Sequence, residues 1–152
     1  MLQAACATVA LVLLLAACGS LRPSLQAADA GLIGDYRMDC ESVRAPANSE
    51  VRLRKDCDSH ADKFSIKVRQ DDSGQWAVMN LADQPFSDFS EWKRTVFEGN
   101  ACIGAPFVAL CKVPLNTPVL SGVGGDIPIS SRTGYVFVSQ GLIADLIKVE
   151  SK

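Results

Sequence analysis

FSIKVRQDDSGQWAVMN, residues Phe64 to Asn80, decides the fold class. Phe64, Ile66 and Val68 alternate with Ser65, Lys67 and Arg69, the period of two that puts one face of a strand in a core and the other in water. Asp71-Asp72-Ser73-Gly74 is a strong turn signal, and Gln75-Trp76-Ala77-Val78-Met79 returns as a second strand. The whole stretch predicts a β-hairpin.

The same period runs outward in both directions. Tyr36, Met38 and Cys40 alternate with Asp35, Arg37 and Asp39, and Val51 and Leu53 alternate with Arg52 and Arg54. Each reads as a strand with one wet face, which makes Arg52, Arg54 and Lys55 a solvated strand face. Further strands are expected at Phe107 to Val113 and Tyr135 to Ser139, followed by a turn at Ser139-Gln140-Gly141. Leu142 to Val149 fits two patterns, because Leu142, Ile143, Leu146 and Ile147 also share a helix face. The tight connection before it favours a strand. Ser87 or Asp88 is placed to cap a short helix carrying Phe89, Trp92 and Val96 at spacings of three and four. Leu115 to Ser131, with Pro118, Gly122, Gly124, Gly125 and Pro128, reads as a long loop or irregular edge. Together these elements predict a mainly β fold, a small antiparallel β-barrel or sandwich with one short helix.

A chain of 152 residues suits one domain. Hydrophobic residues at 48% and charged ones at 21% exclude a disordered chain. A formal net charge of -2 gives no electrostatic footprint for nucleic acid.

The N-terminus carries an address. Positions 1 to 17 hold no Asp, Glu, Lys or Arg, and between Ala4 and Ala17 only Thr8 is polar. That run is shorter than the roughly 20 residues a helical span needs, and it reads as the apolar region of a signal peptide. Leu15-Ala16-Ala17-Cys18 then resembles the lipobox of bacterial lipoproteins. The match covers about the first 20 residues, and Met1-Leu2-Gln3 departs from the family in lacking Lys or Arg. The resemblance implies cleavage after Ala17 and diacylglyceryl and palmitate chains on Cys18. Stable anchoring needs at least two acyl chains, which such a cysteine supplies. In that family Asp after the cysteine marks inner-membrane retention. Gly19 stands here, which implies the outer membrane, periplasmic face. The alternative is an ordinary secretory signal cut after Ala28-Asp29-Ala30. The domains expected are a signal peptide at 1–17, a lipidated cysteine with its tether at 18–30 and a β-rich globular domain at 31–152.

Under that reading Cys6 leaves with the signal and Cys18 carries lipid. Cys40, Cys57, Cys102 and Cys111 remain, and four cysteines in an exported chain read as two disulfides. Of three connectivities, proximity in sequence selects Cys40–Cys57, bridging neighbouring strands, and Cys102–Cys111.

No stretch presents a convincing reaction centre. Asp56, Asp58, His60 and Asp62 would share one face of an extended chain, with carboxylate and imidazole chemistry suited to a divalent metal. Four ligands from one strand wrap a metal poorly, and the stretch reads as a polar loop. Cys57 near His60 suggests a thiol nucleophile only if it escapes oxidation. Ser59, Asp58 and His60 are too close in sequence for a triad. Ser121-Gly122-Val123-Gly124-Gly125-Asp126 lacks the Lys-Ser/Thr end of a phosphate loop. No catalytic residue, metal or cofactor is therefore expected. Of the mid-chain aromatics Trp76, Phe86, Phe89, Trp92 and Phe97, most are expected in the core. Pro85 to Phe89 is a candidate exposed connection where aromatics anchor a partner.

A small disulfide-bridged β-domain on a lipid tether resembles, at the level of fold, envelope lipoproteins that bind other proteins. Some inhibit lysozyme or act as immunity proteins against cell-wall-degrading toxins. The expectation is a non-catalytic module with a protein partner in the cell envelope. The alternative is carriage of a lipid or other small molecule inside a barrel.

Overall fold

A computed structural model describes residues 31–85, 91–120, 128–139 and 141–150. The signal segment, Cys18, the tether, Phe86 to Phe89 with the expected helix cap, the glycine-rich stretch Ser121 to Asp126, and Gln140 lie outside the described residues. The compact unit is Leu32–Lys152.

Eight strands form one antiparallel sheet: β1 (Gly34–Met38), β2 (Ser65–Gln70), β3 (Trp76–Met79), β4 (Lys93–Phe97), β5 (Asn100–Ala105), β6 (Val108–Lys112), β9 (Tyr135–Ser139) and β10 (Leu142–Val149). A separate hairpin, β7 (Pro118–Leu120) with β8 (Pro128–Ser130), lies between β6 and β9 in sequence. The sheet order is β3-β2-β1-β10-β9-β6-β5-β4. Followed around, this is a meander in chain order, joined where β10 pairs with β1, with β3 and β4 left at the two edges. Those edges touch at one antiparallel bridge, Trp76 to Trp92, so the sheet is a nearly closed barrel. The hairpin from Phe64 to Asn80 and the strands β1, β6, β9 and β10 stand where the sequence predicts strands.

Alternation sorts side chains into two cores. Tyr36, Val68, Ile103, Leu110, Phe137, Ala144 and Leu146 point inward and pack as one buried cluster with both tryptophans. An eight-stranded barrel is just narrow enough for side chains to fill it. Outward-facing Cys111, Val136, Val138 and Ile143 pack with Val119 and Ile129 of the β7–β8 hairpin in a second cluster. The segment Leu115 to Ser131 is thus no plain loop: it contributes this hairpin.

Three other expectations are corrected. Val51 to Arg54 is not a strand but part of helix α1 (Ala47–Ser59). Four alternating residues cannot fix a period, and the surrounding Ala, Glu, Arg, Leu and Lys favour a helix. Glu50 and Arg54 form an i,i+4 ion pair at 2.8 Å, and the Glu50 carboxylate accepts the Ala45 N–H at 3.3 Å. Residues two apart lie about 200° apart on a helix. Leu53 therefore turns to the core while Val51 is 77% exposed. Second, Trp92 and Val96 belong to an extended segment and β4, not to a helix. The turn at Glu98 and Gly99, both with left-handed φ, sends β4 back into β5. Third, Cys40 lies beyond β1 in a 3₁₀ turn (Cys40–Ser42), so the Cys40–Cys57 bridge ties that turn to α1 instead of joining strands. The pairing itself is as expected, as is Cys102–Cys111, which spans directly opposed residues of β5 and β6.

The 3₁₀ turn is an excursion from a strand. The Asp39 N–H donates to the Asp145 carbonyl at 2.9 Å, and Arg44 and Ile143 exchange two backbone bonds at 2.8 and 3.0 Å. Between these points the chain leaves β10, and the Asp145 N–H donates to Ser42 Oγ at 2.7 Å instead of to backbone.

Candidate functional site

The open seam between β3 and β4 is where this barrel departs from closure. Trp76 and Trp92 are buried there. A cleft of about 600 Å³ opens beside them, with Ser73, Gly74 and Gln75 on one side and Glu91, Lys93 and Arg94 on the other.

The β2–β3 turn gives the cleft one fixed wall. The Asp71 carboxylate accepts the Ser73 and Gln75 N–H groups, each at 2.9 Å, and the Ser73 hydroxyl at 2.6 Å. Those donors, Ser73 foremost, hold the Asp71 carboxyl below its ordinary pKa. Gly74 takes φ +84°, a left-handed conformation that glycine adopts without steric cost.

The other wall is β4, whose only ladder among the described strands is with β5. Arg94 sits opposite buried Ile103 and so belongs to the inner face, as does Val96 two residues on. Among the described residues β3 meets β4 at one bridge only, and Val96 is 71% exposed. Lys93 Nζ lies 2.7 Å from the Glu91 carboxylate. The bond raises the pKa of Lys93 and lowers that of Glu91. Both groups are solvated, so this pair orients the rim more than it stabilises the fold.

The Trp92 indole N–H is buried and meets no acceptor among the described residues. Buried indole donors ordinarily find a partner. The cleft therefore offers an apolar floor and cationic side chains: the chemistry to take a carboxylate with apolar surface beside it.

A second exposed feature lies at the Lys93 end of β4, since Lys93 pairs with Gly104 and the β5–β6 turn follows at once. In Ala105-Pro106-Phe107-Val108, Phe107 takes φ +67° and is 70% exposed. A bulky residue with left-handed φ is an outlier, and an aromatic held outward is an anchor type common in interfaces.

The residues singled out from sequence fall elsewhere. Asp56 and Asp58 lie on α1, His60 follows its last turn, and Asp62 lies in the turn beyond. All four are exposed, and the helix destroys the shared face that an extended chain would give. Among the described residues no three His, Cys, Asp or Glu side chains gather as a metal site. Cys57 is in a disulfide and fully buried. Trp76 and Trp92 are core as expected, and Phe97 packs against the outer cluster. Sequence reading missed Arg94 and the unmet indole donor. The one usable signal was the Glu98-Gly99 turn, which makes β4 a strand. No protein-family model, curated protein or solved structure matches this chain.

Proposed function

We propose that this chain is a bacterial lipoprotein, acylated at Cys18 and held on the periplasmic face of the outer membrane, whose barrel binds an envelope protein without catalysis. The seam carries the reading: an edge strand, β4, whose Lys93, Arg94 and Val96 are solvent-exposed beside the cleft at Trp92. A partner segment that brings carboxylate oxygen there meets the exposed cationic strand. Strand addition at a sheet edge is a general mode of peptide capture. The partner class is a cell-wall-degrading enzyme, with the protein as its inhibitor or immunity protein. Glycan hydrolases work through paired carboxylates, and a cationic strand is matched to such a centre. The barrel interior, packed with Tyr36, Ile103, Leu110 and Leu146, favours binding at the surface over carriage of a ligand inside.

Two measurements test this. Metabolic palmitate labelling of the full chain should mark the wild type and not Cys18→Ser; an unlabelled wild type overturns the anchor. Capture from envelope extract should retain one stoichiometric protein on the wild type and lose it on Arg94→Glu. Equal recovery by both overturns the seam as the binding surface.

A further inference from the structure

The excursion at Cys40–Ser42 leaves a cavity of about 350 Å³ on the outer wall of the barrel. Glu41, Ser42 and Arg44 line one side, Ser130 and Arg132 the other, with Asp145 of β10 on its wall. Asp145 has no solvent exposure. Its Oδ2 accepts the Arg132 backbone N–H at 2.7 Å, and its own N–H and carbonyl are satisfied by Ser42 and Asp39. Its Oδ1 meets no donor among the described residues. Asp35 shows the contrast, because its Oδ1 lies 2.6 Å from the Arg69 guanidinium.

A buried carboxylate oxygen without a donor is costly, and proteins meet that cost with a cation, a donor or a ligand. The volume far exceeds the roughly 30 Å³ that one water occupies. A divalent metal fits poorly, since among the described lining residues only Glu41 and Asp145 offer carboxylates while Arg44 and Arg132 bring two positive charges. A simple anion fits poorly beside Asp145. The pattern calls for a ligand carrying both signs.

We infer that this cavity binds a small zwitterion of α-amino-acid type, its ammonium donating to Asp145 Oδ1 and its carboxylate held between the Arg44 and Arg132 guanidiniums. Arg132 now donates to Asp39 Oδ2 at 2.7 Å, and its side chain is 61% exposed. It is the rim group placed to swing as the ligand enters. The inference is independent of the seam and of lipidation.

Titration calorimetry on the full chain tests it, with the common α-amino acids in L and D forms as probes and ethylamine, acetate and calcium chloride as controls. At least one amino acid should bind, with ethylamine and acetate at least tenfold weaker. Asp145→Asn and Arg44→Gln should each weaken that binding at least tenfold, while Val51→Ala, at an exposed position of α1, leaves it unchanged. Asparagine retains an oxygen for the Arg132 N–H. Should Asp145→Asn still fail to fold, Arg44→Gln decides. Absence of binding by every amino acid overturns the inference. So does equal binding of ethylamine, preference for calcium, or unchanged affinity in the folded variants.

Discussion

Strand β10 is buried from Ile143 to Leu146 on both faces, whereas β4, at the edge of the same sheet, is exposed at Lys93, Arg94, Thr95 and Val96. β4 is the more polar strand, with Lys93, Arg94 and Thr95 among five residues against Asp145 and Lys148 among eight, yet polarity alone does not bury Asp145 or expose Val96. Neighbours do. β10 has β1 and β9 as ladder partners, the packed interior beneath and the 3₁₀ excursion outside. β4 has β5 alone, with one bridge at Trp92. Burial in a barrel is thus set by where the seam falls, and the seam falls between β3 and β4. One wall therefore carries the stability, and the other is left available for contact.

The largest expected effect contrasts the walls directly. Leu146 is fully buried in the inner cluster, and Leu146→Ala should lose about 4 kcal/mol. Val96→Ala should change stability by less than about 0.5 kcal/mol. Urea unfolding of both variants checks this, and equal losses would mean that the seam is closed in solution.

The disulfides sharpen the contrast. Cys40–Cys57 closes a separation of 17 residues and Cys102–Cys111 one of 9. In the chain-entropy model the first contributes about 3 kcal/mol and exceeds the second by only about 0.5 kcal/mol. Context then decides what is lost. Cys57 is the one fully buried residue of α1, so without the bridge the helix keeps little beyond Leu53 and the Arg54 bond to the Val43 carbonyl at 3.0 Å. Replacing both Cys40 and Cys57 by Ala should lower stability and expose Arg52, Arg54 and Lys55 to trypsin. Replacing Cys102 and Cys111 should lower stability somewhat less and leave the digestion pattern alone, because β5 keeps its ladders to β4 and β6. The reverse pattern would place the weaker attachment at the seam.

Tyr36, on the covered wall, gives a pH handle. Its hydroxyl donates to the Leu32 carbonyl at 2.7 Å in a buried setting. Burial, reinforced by the charge Tyr135 would carry, pushes its pKa well above the ordinary value. The folded state then holds a proton that the unfolded state releases above about pH 10. The folded state binds more protons in that window, so stability falls as pH rises through it. Tyr36→Phe should cost about 1 kcal/mol at neutral pH and flatten this alkaline loss. An unchanged slope would show that another group carries it.

Legibility in the sequence followed the range of the interactions. Phe64 to Asn80 could be read because a hairpin is local: its period and its Asp-Asp-Ser-Gly turn lie in one stretch. Helix α1 could not, because Val51 and Leu53 mimic a strand over too few residues to show 3.6 against 2. β4 was hidden by Phe89, Trp92 and Val96, whose spacing of three and four suits a helix equally well. The site was less legible still. The exposure of Arg94 follows from a seam with β3, and the unmet oxygen of Asp145 follows from an excursion some hundred residues earlier in the chain. No local pattern encodes either.

The smallest expected effect has the opposite sign. Phe107 occupies the second position of a two-residue turn after Pro106, with Ala105 and Val108 paired on either side. Proline fixes its own φ near −65°, and φ +67° at the next residue completes a turn of type II character, where glycine is the usual occupant. Phe107→Gly removes the left-handed strain but adds freedom to the unfolded chain. The net gain should be about 0.5 kcal/mol, read as a slightly higher urea midpoint with unchanged slope. A destabilised variant would mean that the ring packs against the barrel after all. A stabilised variant that also captures less envelope protein would place Phe107 with Arg94 on the contact wall, as an aromatic held outward at a conformational cost the fold alone does not require.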